Sequence, residues 1–219
     1  MRMWRLGLLL AAAGAAVKVV SEVAPSRGGP CDIYASGNTP CVAAHSMTRA
    51  LFSRYAGPLF TVRKLQTNAT KDIYPISPGG IVDTAAQEAF CGHGPCVVQR
   101  IFDQSEFGNH LGIEHGASYL HPPRNAEDIG VDLADNRSKA TLRGKPVHSA
   151  YFDNGPDLLP QHGYSNRTAT GTATGDAPQS IYAVLSGKVF NGGCCFDYGN
   201  AEKFTGTVFP GGPGAMEAV

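Results

Sequence analysis

Apolar residues alternate with polar ones over several short stretches of the chain, a pattern typical of β-strands. Cys96–Asp103 is apolar and β-branched, and so is Ser180–Leu185, so both runs suit buried strands. Leu59–Leu65 alternates clearly, and Pro146–Phe152 alternates weakly. The pattern predicts a strand in each stretch, and Ser180–Leu185 is expected to lie in the core.

Helical spacing of apolar residues appears only in the first half of the chain. Val42–Tyr55 carries such spacing and few helix breakers before Gly57 and Pro58, so it is predicted to be a helix. A shorter helix is predicted over Thr84–Phe90, because Thr84-Ala-Ala-Gln87 matches a capping box. The remaining segments read as loops, with one strand expected somewhere between Gly112 and Arg143.

Strands therefore dominate, and no alternation of strands and helices of the parallel α/β kind is present. The predicted fold is mostly β: an antiparallel β-sandwich, with short helices near the N-terminus. Repeats of a four-residue unit in Thr168–Gly175 are too short for a solenoid and predict a loop.

Composition narrows the classes of ligand. The 219 residues contain 18 basic and 18 acidic side chains, so the net charge gives no reason to expect nucleic acid or an anionic membrane as partner. Only 16% of residues are charged, whereas Gly (27) and Pro (15) are abundant, which favours short strands joined by turns. A neutral ligand is expected.

The N-terminus resembles a secretory leader. Arg2 and Arg5 precede the apolar run Leu6–Val17, so residues 1–17 are predicted to be a signal peptide and 18–29 a linker. A buried N-terminal helix is the alternative. Export also fits three glycosylation sequons, which predict exposed asparagines at Asn68, Asn136 and Asn166.

The six cysteines all follow this leader, as an oxidising compartment would permit. Their local spacing predicts three bridges: Cys31–Cys41, Cys91–Cys96 and Cys194–Cys195. The first would close a loop at the start of the mature chain. Zinc is the competing explanation for Cys91 and Cys96, but no second ligand pair lies at zinc-finger spacing.

Cys194 and Cys195 are adjacent, and packing alone does not explain such a pair. Disulfides normally join Cα atoms about 4.4 to 6.8 Å apart, whereas neighbours across a trans peptide are about 3.8 Å apart. A bridge here would be strained, and strain of this kind often marks a binding site. The open alternative is that the two cysteines are free or purely structural.

Several strings, in the same order from about Gly29 onward, resemble the catalytic domain of secreted α-L-arabinofuranosidases of glycoside hydrolase family 54. They are 29–34 (Gly-Pro-Cys-Asp-Ile-Tyr), 39–46 (Thr-Pro-Cys-Val-Ala-Ala-His-Ser), 103–111 (Asp-Gln-Ser, then Gly-Asn-His-Leu), 171–176 (Gly-Thr-Ala-Thr-Gly-Asp) and 194–202 (Cys-Cys-Phe-Asp-Tyr-Gly-Asn-Ala-Glu). The resemblance assigns residues 30–219 to that domain.

The resemblance implies a β-sandwich of the concanavalin-like or jelly-roll type, incomplete at its C-terminal end in this chain, with the same three bridges. It also implies that Cys194 and Cys195 pack against arabinofuranose in the active-site pocket. Such a role is physically reasonable, because a rigid disulfide offers polarisable sulfur to the C–H face of a sugar and loses little entropy on binding.

In that family, as in most retaining glycosidases, one carboxylate attacks the anomeric carbon and a carboxylic acid protonates the leaving oxygen, about 5 to 5.5 Å away. The resemblance implies that both the glutamate nucleophile and the aspartate acid/base lie beyond Val219, as does the family's β-trefoil module. No catalytic residue is therefore assigned within the chain, which alone is expected to be inactive.

Acidic residues and histidines that the chain does carry are expected to be structural. Asp197 and Glu202 flank the cysteine pair, and Glu217 aligns with a non-catalytic glutamate. Asp103 and Asp176 resemble turn residues. Three histidines are expected to serve as polar or capping side chains: His45, His93 and His110.

The expected function is thus release of terminal α-L-arabinofuranosyl groups from arabinoxylan, arabinan or arabino-oligosaccharides by a secreted, monomeric, extracellular protein. No metal, cofactor, nucleic acid or membrane is expected to take part. The alternative is a non-catalytic carbohydrate-binding β-sandwich module. A third reading is a fragment that does not fold stably, because absent strands would leave sheet edges unpaired.

Overall fold

The computed structural model describes residues 28–92, 94–113, 138–152, 163–166, 168–187 and 197–200. Within these ranges strands are the main element, joined by irregular segments. The helices are α1 (Pro30–Ser36) and α2 (Thr84–Cys91). The strands are β1 (Phe60–Lys64), β2 (Thr70–Ile73), β3 (Cys96–Ile101), β4 (Leu111–Ile113), β5 (Lys139–Leu142), β6 (Lys145–His148), β7 (Gly163–Asn166) and β8 (Asp197–Asn200).

Six of these strands form one sheet in the order β2-β1-β3-β4-β7-β8. Neighbours are antiparallel from β2 to β7, whereas β8 runs parallel to β7, with Tyr164 opposite Tyr198. This one parallel pair differs from the wholly antiparallel prediction. It is possible because residues 167–196 are long enough for the crossover that parallel neighbours need.

Strands β5 and β6 form a separate hairpin, which completes a mostly-β arrangement consistent with a β-sandwich. The hairpin contacts the main core through Val147 and contacts α2 through Thr84, whose hydroxyl donates to the Pro146 carbonyl at 2.9 Å. The predicted strand Pro146–Phe152 thus corresponds to β6, which begins one residue earlier and ends at His148.

Burial follows the strand pattern in the central strands. In β1 the alternate residues Phe60 and Val62 are buried, as the alternation in Leu59–Leu65 predicted. β3 confirms the prediction for Cys96–Asp103, although it ends at Ile101. The core consists of Met47, Leu59, Phe60, Val62, Ile73, Val82, Cys96, Val98, Ile101, Leu111, Val147 and Tyr164.

Helix α2 confirms the short helix predicted over Thr84–Phe90, but the predicted cap is wrong. Asp83 is the N-cap, and its Oδ1 accepts the Ala86 N–H at 2.9 Å. Thr84 lies one residue inside the helix, where its hydroxyl is engaged by the hairpin. The side chain of Asp83 lies one position before Thr84 and is therefore better placed than Thr84 to accept the free amides of the first turn.

Helix α1 lies inside the segment that is predicted to be a disulfide-closed loop. Pro30 occupies its first turn, and Asp32 Oδ2 accepts the Gly29 N–H at 2.6 Å. Both are ordinary signals of a helix start. The Cys31–Cys41 bridge then joins the helix to the segment that follows it.

The helix predicted over Val42–Tyr55 is wrong. Backbone amides there donate to distant partners: Ala44 to Asp103 Oδ1 at 2.7 Å, and Ala50 to the Gly80 carbonyl at 2.8 Å. Isolated bridges pair His45 with Asp103 and Arg49 with Ile81. Tertiary hydrogen bonds therefore replace the i to i−4 bonds that a helix would need.

The core strand predicted at Ser180–Leu185 is also wrong. The segment forms no strand, and Val184 is 79% exposed. Within the described residues its one aromatic ring contact is between Tyr182 and Tyr34, 6.3 Å between ring centroids. A strand needs a neighbour that pairs with its backbone N–H and C=O groups. None of the described strands pairs with residues 180–185.

Thr168–Gly175 is a loop, as predicted. The predicted surface loop 112–143 overlaps β4 and β5 at its two ends, and its middle lies outside the described residues. Neither described helix is long and apolar enough to cross a bilayer.

Candidate functional site

The predicted sugar-contacting residues Cys194 and Cys195 lie outside the described residues, as do Glu202 and Glu217. The described residues nearest to the cysteine pair in sequence are those of β8, which begins at Asp197. The backbone of Asp197 begins that strand, opposite Gly163 of β7. The surroundings of β8 are therefore the described part of the structure nearest in sequence to the cysteines.

Tyr198 of β8 makes the main side-chain contact of this region. Its ring lies edge-on to the His45 imidazole, with centroids 6.1 Å apart and planes at 88°. This geometry is favourable, since the positive edge of one ring meets the negative face of the other. Tyr198 as a whole residue is still 41% exposed.

His45 is held in place by the main chain of Asn109. His45 Nε2 lies 2.7 Å from the Asn109 carbonyl oxygen. A carbonyl only accepts, so Nε2 must carry the proton and donate it. Burial lowers the pKa of His45, although the Asn109 carbonyl and the Asp103 carboxylate oppose that shift.

The side chain of Asn109 joins two further segments. Its Nδ2 donates to the carbonyls of Val42 at 3.0 Å and Thr170 at 2.8 Å, and its Oδ1 accepts the Thr170 N–H at 2.9 Å. The amide thus pairs with Thr170 as a strand neighbour would. This fastens the 168–175 loop to the turn after β3.

A second contact presses the same loop against the same turn. Gly171 has φ +73°, and a Cβ there would collide with the ring of Phe107. Only glycine satisfies both the left-handed backbone and the close approach of the ring.

Asp103 organises the turn itself. It is 3% exposed, and its two oxygens accept four hydrogen bonds, which fill its acceptor sites. Oδ1 accepts the amides of Ala44 (2.7 Å) and Ser105 (2.9 Å), and Oδ2 accepts the Ser105 hydroxyl (2.6 Å) and the Asn109 amide (2.8 Å). We call Asp103, Asn109, His45 and Tyr198 the Asp103 network.

His110 supports the turn from its other side. Its Nδ1 accepts the Asp103 N–H at 3.1 Å, so that nitrogen is unprotonated. Burial and the charge of Arg100 lower the pKa of His110, and Asp103 opposes the shift. The expectation of a polar supporting role fits His110 and His45, whereas His93 lies outside the described residues.

Other half-buried carboxylates are likewise engaged by donors. Asp72 accepts the Thr61 hydroxyl at 2.6 Å, and Asp83 caps α2. Asp32 Oδ2 also accepts the Ser53 amide at 2.7 Å. Burial would raise the pKa of Asp32, but hydrogen bonds from Ser53 and Gly29 and the charge of Arg54 lower it below its ordinary value. Asp176, in contrast, lies exposed in a turn, as predicted.

The cysteine predictions that fall in the described residues are confirmed. Cys31 bonds to Cys41, and Cys91 bonds to Cys96. The second bridge excludes the zinc alternative, because its sulfurs are joined to each other. Within the described ranges no group of three or more histidine, cysteine or acidic side chains is arranged to hold a metal ion.

Of the three sequons, 68–70 lies wholly and 166–168 partly within the described residues. Asn68 is exposed at the turn between β1 and β2, with φ +56°. Asn166 ends β7, half-buried, and its Oδ1 accepts the Thr168 amide and hydroxyl at 2.8 and 3.0 Å. Asn136 lies outside the described residues.

Comparison with known proteins identifies the family of this chain. Residues 30–219 match the family model for the catalytic domain of α-L-arabinofuranosidase B. A probable α-L-arabinofuranosidase B of Aspergillus terreus is 45% identical over 204 residues, which is 93% of this chain and 38% of that protein. The α-L-arabinofuranosidase B of Aspergillus niger is 43% identical over 196 residues, 87% of this chain and 36% of that protein.

Solved structures give the same result. An arabinofuranosidase complexed with arabinofuranosyl-α-1,2-xylobiose is 40% identical with a TM-score of 0.60, over 68% of this chain and 29% of the other. A glycoside hydrolase family 54 α-L-arabinofuranosidase soaked with a cyclic sulfate inhibitor matches equally well. The chain spans little more than a third of the length of its curated relatives. It belongs to the catalytic-domain family of α-L-arabinofuranosidase B, in glycoside hydrolase family 54.

Proposed function

We propose that this chain forms part of a secreted α-L-arabinofuranosidase that releases terminal, non-reducing α-L-arabinofuranosyl groups from arabinoxylan, arabinan or arabino-oligosaccharides. The observation that carries the proposal is the match of residues 30–219 to a catalytic-domain family. A structural relative was crystallised with an arabinofuranosyl xylobiose, which supports a sugar of this class as ligand. A non-catalytic binding module is not favoured, because the matching family is an enzyme family.

The chain supplies the sugar-contacting wall of the pocket. Cys194 and Cys195, bridged to each other, pack against the C–H face of the arabinofuranose ring. The position of β8 supports this assignment, because the strand begins two residues after Cys195 and carries the partly exposed residue Tyr198. Flat, poorly hydrated surfaces of this kind suit a sugar face.

The reacting carboxylates are not assigned to the described residues. Retaining hydrolysis needs a nucleophile and an acid about 5 to 5.5 Å apart. Asp103, the buried carboxylate of the Asp103 network, has both oxygens filled by donors and cannot attack a sugar without breaking the turn that it holds. No described residue is therefore assigned either role, and the part of the reaction given to this chain is to hold the arabinofuranosyl group.

The chain is exported and acts as a monomer outside the cell. Residues 1–17 are the signal peptide, 18–29 a linker and 30–219 the catalytic-domain portion, in a concanavalin-like sandwich. Two local disulfides support an oxidising destination. Of the two described sequon asparagines, Asn68 is the better placed for glycosylation, since it is exposed in a turn.

Hydrolysis of 4-nitrophenyl α-L-arabinofuranoside tests this proposal in two proteins. The first is the purified 219-residue chain; the second is residues 1–219 joined to the C-terminal remainder of the Aspergillus niger relative. We expect nitrophenol release only from the second, with the α-L-arabinopyranoside as an unreactive control. A cooperatively folded second protein without activity would contradict the enzyme assignment, and turnover by the first would contradict the assignment of the carboxylates.

A further inference from the structure

We infer that an exposed apolar surface of this chain is the place where the rest of the enzyme packs. The side chains of this surface, which we call the apolar patch, lie on α1 and on residues 180–185: Ile33, Tyr34, Ile181, Tyr182, Val184 and Leu185. The occupant is the polypeptide that the longer relatives carry outside the region they share with this chain. The inference rests on the proposed function in one respect, that this chain forms part of a longer arabinofuranosidase.

The apolar patch leaves large side chains in solvent. Val184 is 79% exposed and Leu185 is 65% exposed. The rings of Tyr182 and Tyr34 lie edge to face with centroids 6.3 Å apart, so the segment 180–185 adjoins α1. Single exposed apolar residues are common on protein surfaces, whereas a cluster of them marks a surface that another molecule covers.

The backbone of residues 180–185 is available as well. Within the described part of the chain these six residues make no backbone hydrogen bond and join no sheet. A peptide with free N–H and C=O groups beside apolar side chains can pair with a strand from elsewhere. Ile181 and Val184 are β-branched, which suits such pairing. The segment therefore offers a partner both apolar surface and main-chain hydrogen bonds.

Charge and chemistry narrow the kind of partner. Residues 30–41 and 168–187 contain two charged side chains, Asp32 and Asp176. Asp32 is engaged by backbone amides, among them that of Ser53. Charged residues are depleted at the centre of protein interfaces, whereas nucleic acid needs basic groups. Four of the six patch side chains are aliphatic, without the polar groups that orient a sugar, so an apolar polypeptide fits best.

The lengths of the relatives indicate which polypeptide this is. The shared region amounts to 38% of the Aspergillus terreus protein and to 29% of the solved arabinofuranosidase with bound arabinofuranosyl xylobiose. Most of each relative therefore lies outside it. The apolar patch lies inside residues 30–219, which match the catalytic-domain family. An uncharged apolar surface within such a domain is covered most simply by the remainder of the same enzyme.

The fold holds both sides of the apolar patch in place before any partner arrives. The Cys31–Cys41 bridge fixes α1 to the segment that follows it. The side chain of Asn109 fastens the loop 168–175, which leads into residues 180–185. A surface held in this way loses little conformational entropy when it is covered.

Hydrogen exchange in two wild-type proteins tests the inference. One is the purified 219-residue chain, and the other is that chain joined to the C-terminal remainder of the Aspergillus niger relative. We expect the amides of residues 181–185 to exchange about 100-fold more slowly in the joined protein, with β3 unchanged. Equally fast exchange in both would overturn the inference. So would protection in the isolated chain that rises with its concentration, which indicates a second copy, or that appears on adding arabinoxylan.

A matched pair of substitutions tests the same surface. Ile181 is 62% exposed within the apolar patch, and Ile76 is 65% exposed outside it. In the joined protein we expect Ile181→Asp to lower the thermal midpoint by about 5 °C and Ile76→Asp by less than about 1 °C, because only the first buries a charge. In the isolated chain neither should lower it by more than about 1 °C. Equal shifts in the joined protein would overturn the inference.

Activity separates this inference from the proposed function. Nitrophenol release by a joined protein whose residues 181–185 still exchange fast would uphold the proposed function and overturn the packing. A folded joined protein that protects these amides but releases no nitrophenol would uphold the packing and contradict the proposed function.

Discussion

Asn109 is hydrogen bonded through its amide to Asp103 Oδ2 at 2.8 Å, while its carbonyl accepts from His45 and its side chain from Thr170. Through this single asparagine, the buried carboxylate of Asp103 controls two loops that are far apart in sequence. The arrangement explains why an irregular segment, 42–51, has a defined position beside the sheet.

Replacement of Asp103 tests how strongly the turn depends on the carboxylate. In Asp103→Asn an NH2 group faces donors that now lack an acceptor, and a buried donor without a partner is costly. We expect the free energy of unfolding to fall by about 3 kcal/mol, measured by urea denaturation. Asp176→Asn, at an exposed turn, should change it by less than about 0.5 kcal/mol. Equal effects of the two substitutions would contradict the role given to Asp103.

Truncation of valines compares the true core with the strand that the sequence predicted. Val98 is fully buried, so Val98→Ala should cost about 2 kcal/mol of unfolding free energy. Val184 is 79% exposed, so Val184→Ala should cost less than about 0.5 kcal/mol. A loss at Val184 as large as that at Val98 would mean that Ser180–Leu185 packs into a core after all.

The pH dependence of stability follows from His148, which lies on β6 with Nδ1 3.2 Å from the Ser138 hydroxyl and Nε2 3.9 Å from Glu88. Burial lowers the pKa of His148; Glu88 opposes this shift and Lys139 adds to it. Below the ordinary histidine pKa of about 6.5 the unfolded chain therefore binds a proton that the folded chain does not. The contribution of His148 to the free energy of unfolding is therefore complete above about pH 6.5 and is lost as the pH falls below that value.

We therefore expect the free energy of unfolding to decrease between pH 7 and pH 5, with a smaller decrease in His148→Gln. His45 and His110, whose pKa values are also lowered, contribute to the slope that remains in the variant. Urea denaturation at several pH values measures both slopes. Stability that rises on acidification, or equal slopes in the two proteins, would contradict the assignment.

The sequence predicts those elements whose signals are local. Alternation marked β1, the β-branched run marked β3, and cysteine spacing marked both described bridges. The helix predicted at Val42–Tyr55 failed because its amides find acceptors on Asp103 and on the Gly80 carbonyl, which no local pattern reveals. The strand at Ser180–Leu185 failed because strand formation depends on a partner as well as on composition.

The candidate site shows the same division. The strings that carry the family resemblance contain His45, Asp103, Asn109 and Tyr198. The sequence alone, however, predicted only a turn position for Asp103 and a polar or capping role for His45. Asp103 does make the expected short-range bond to the Ser105 amide. Its bond to Ala44 and the ring contact between His45 and Tyr198 join residues far apart in sequence, so only the fold brings them together.

Sugar binding by the purified chain tests the central claim most directly. Calorimetric titration with arabinofuranosyl-α-1,2-xylobiose, against xylobiose as the matched ligand without the arabinofuranosyl group, isolates recognition of that group. We predict saturable binding of the first ligand with no detectable heat from the second. Equal binding of both ligands, or of neither by the cooperatively folded chain, would contradict the assignment of this domain to arabinofuranosyl recognition.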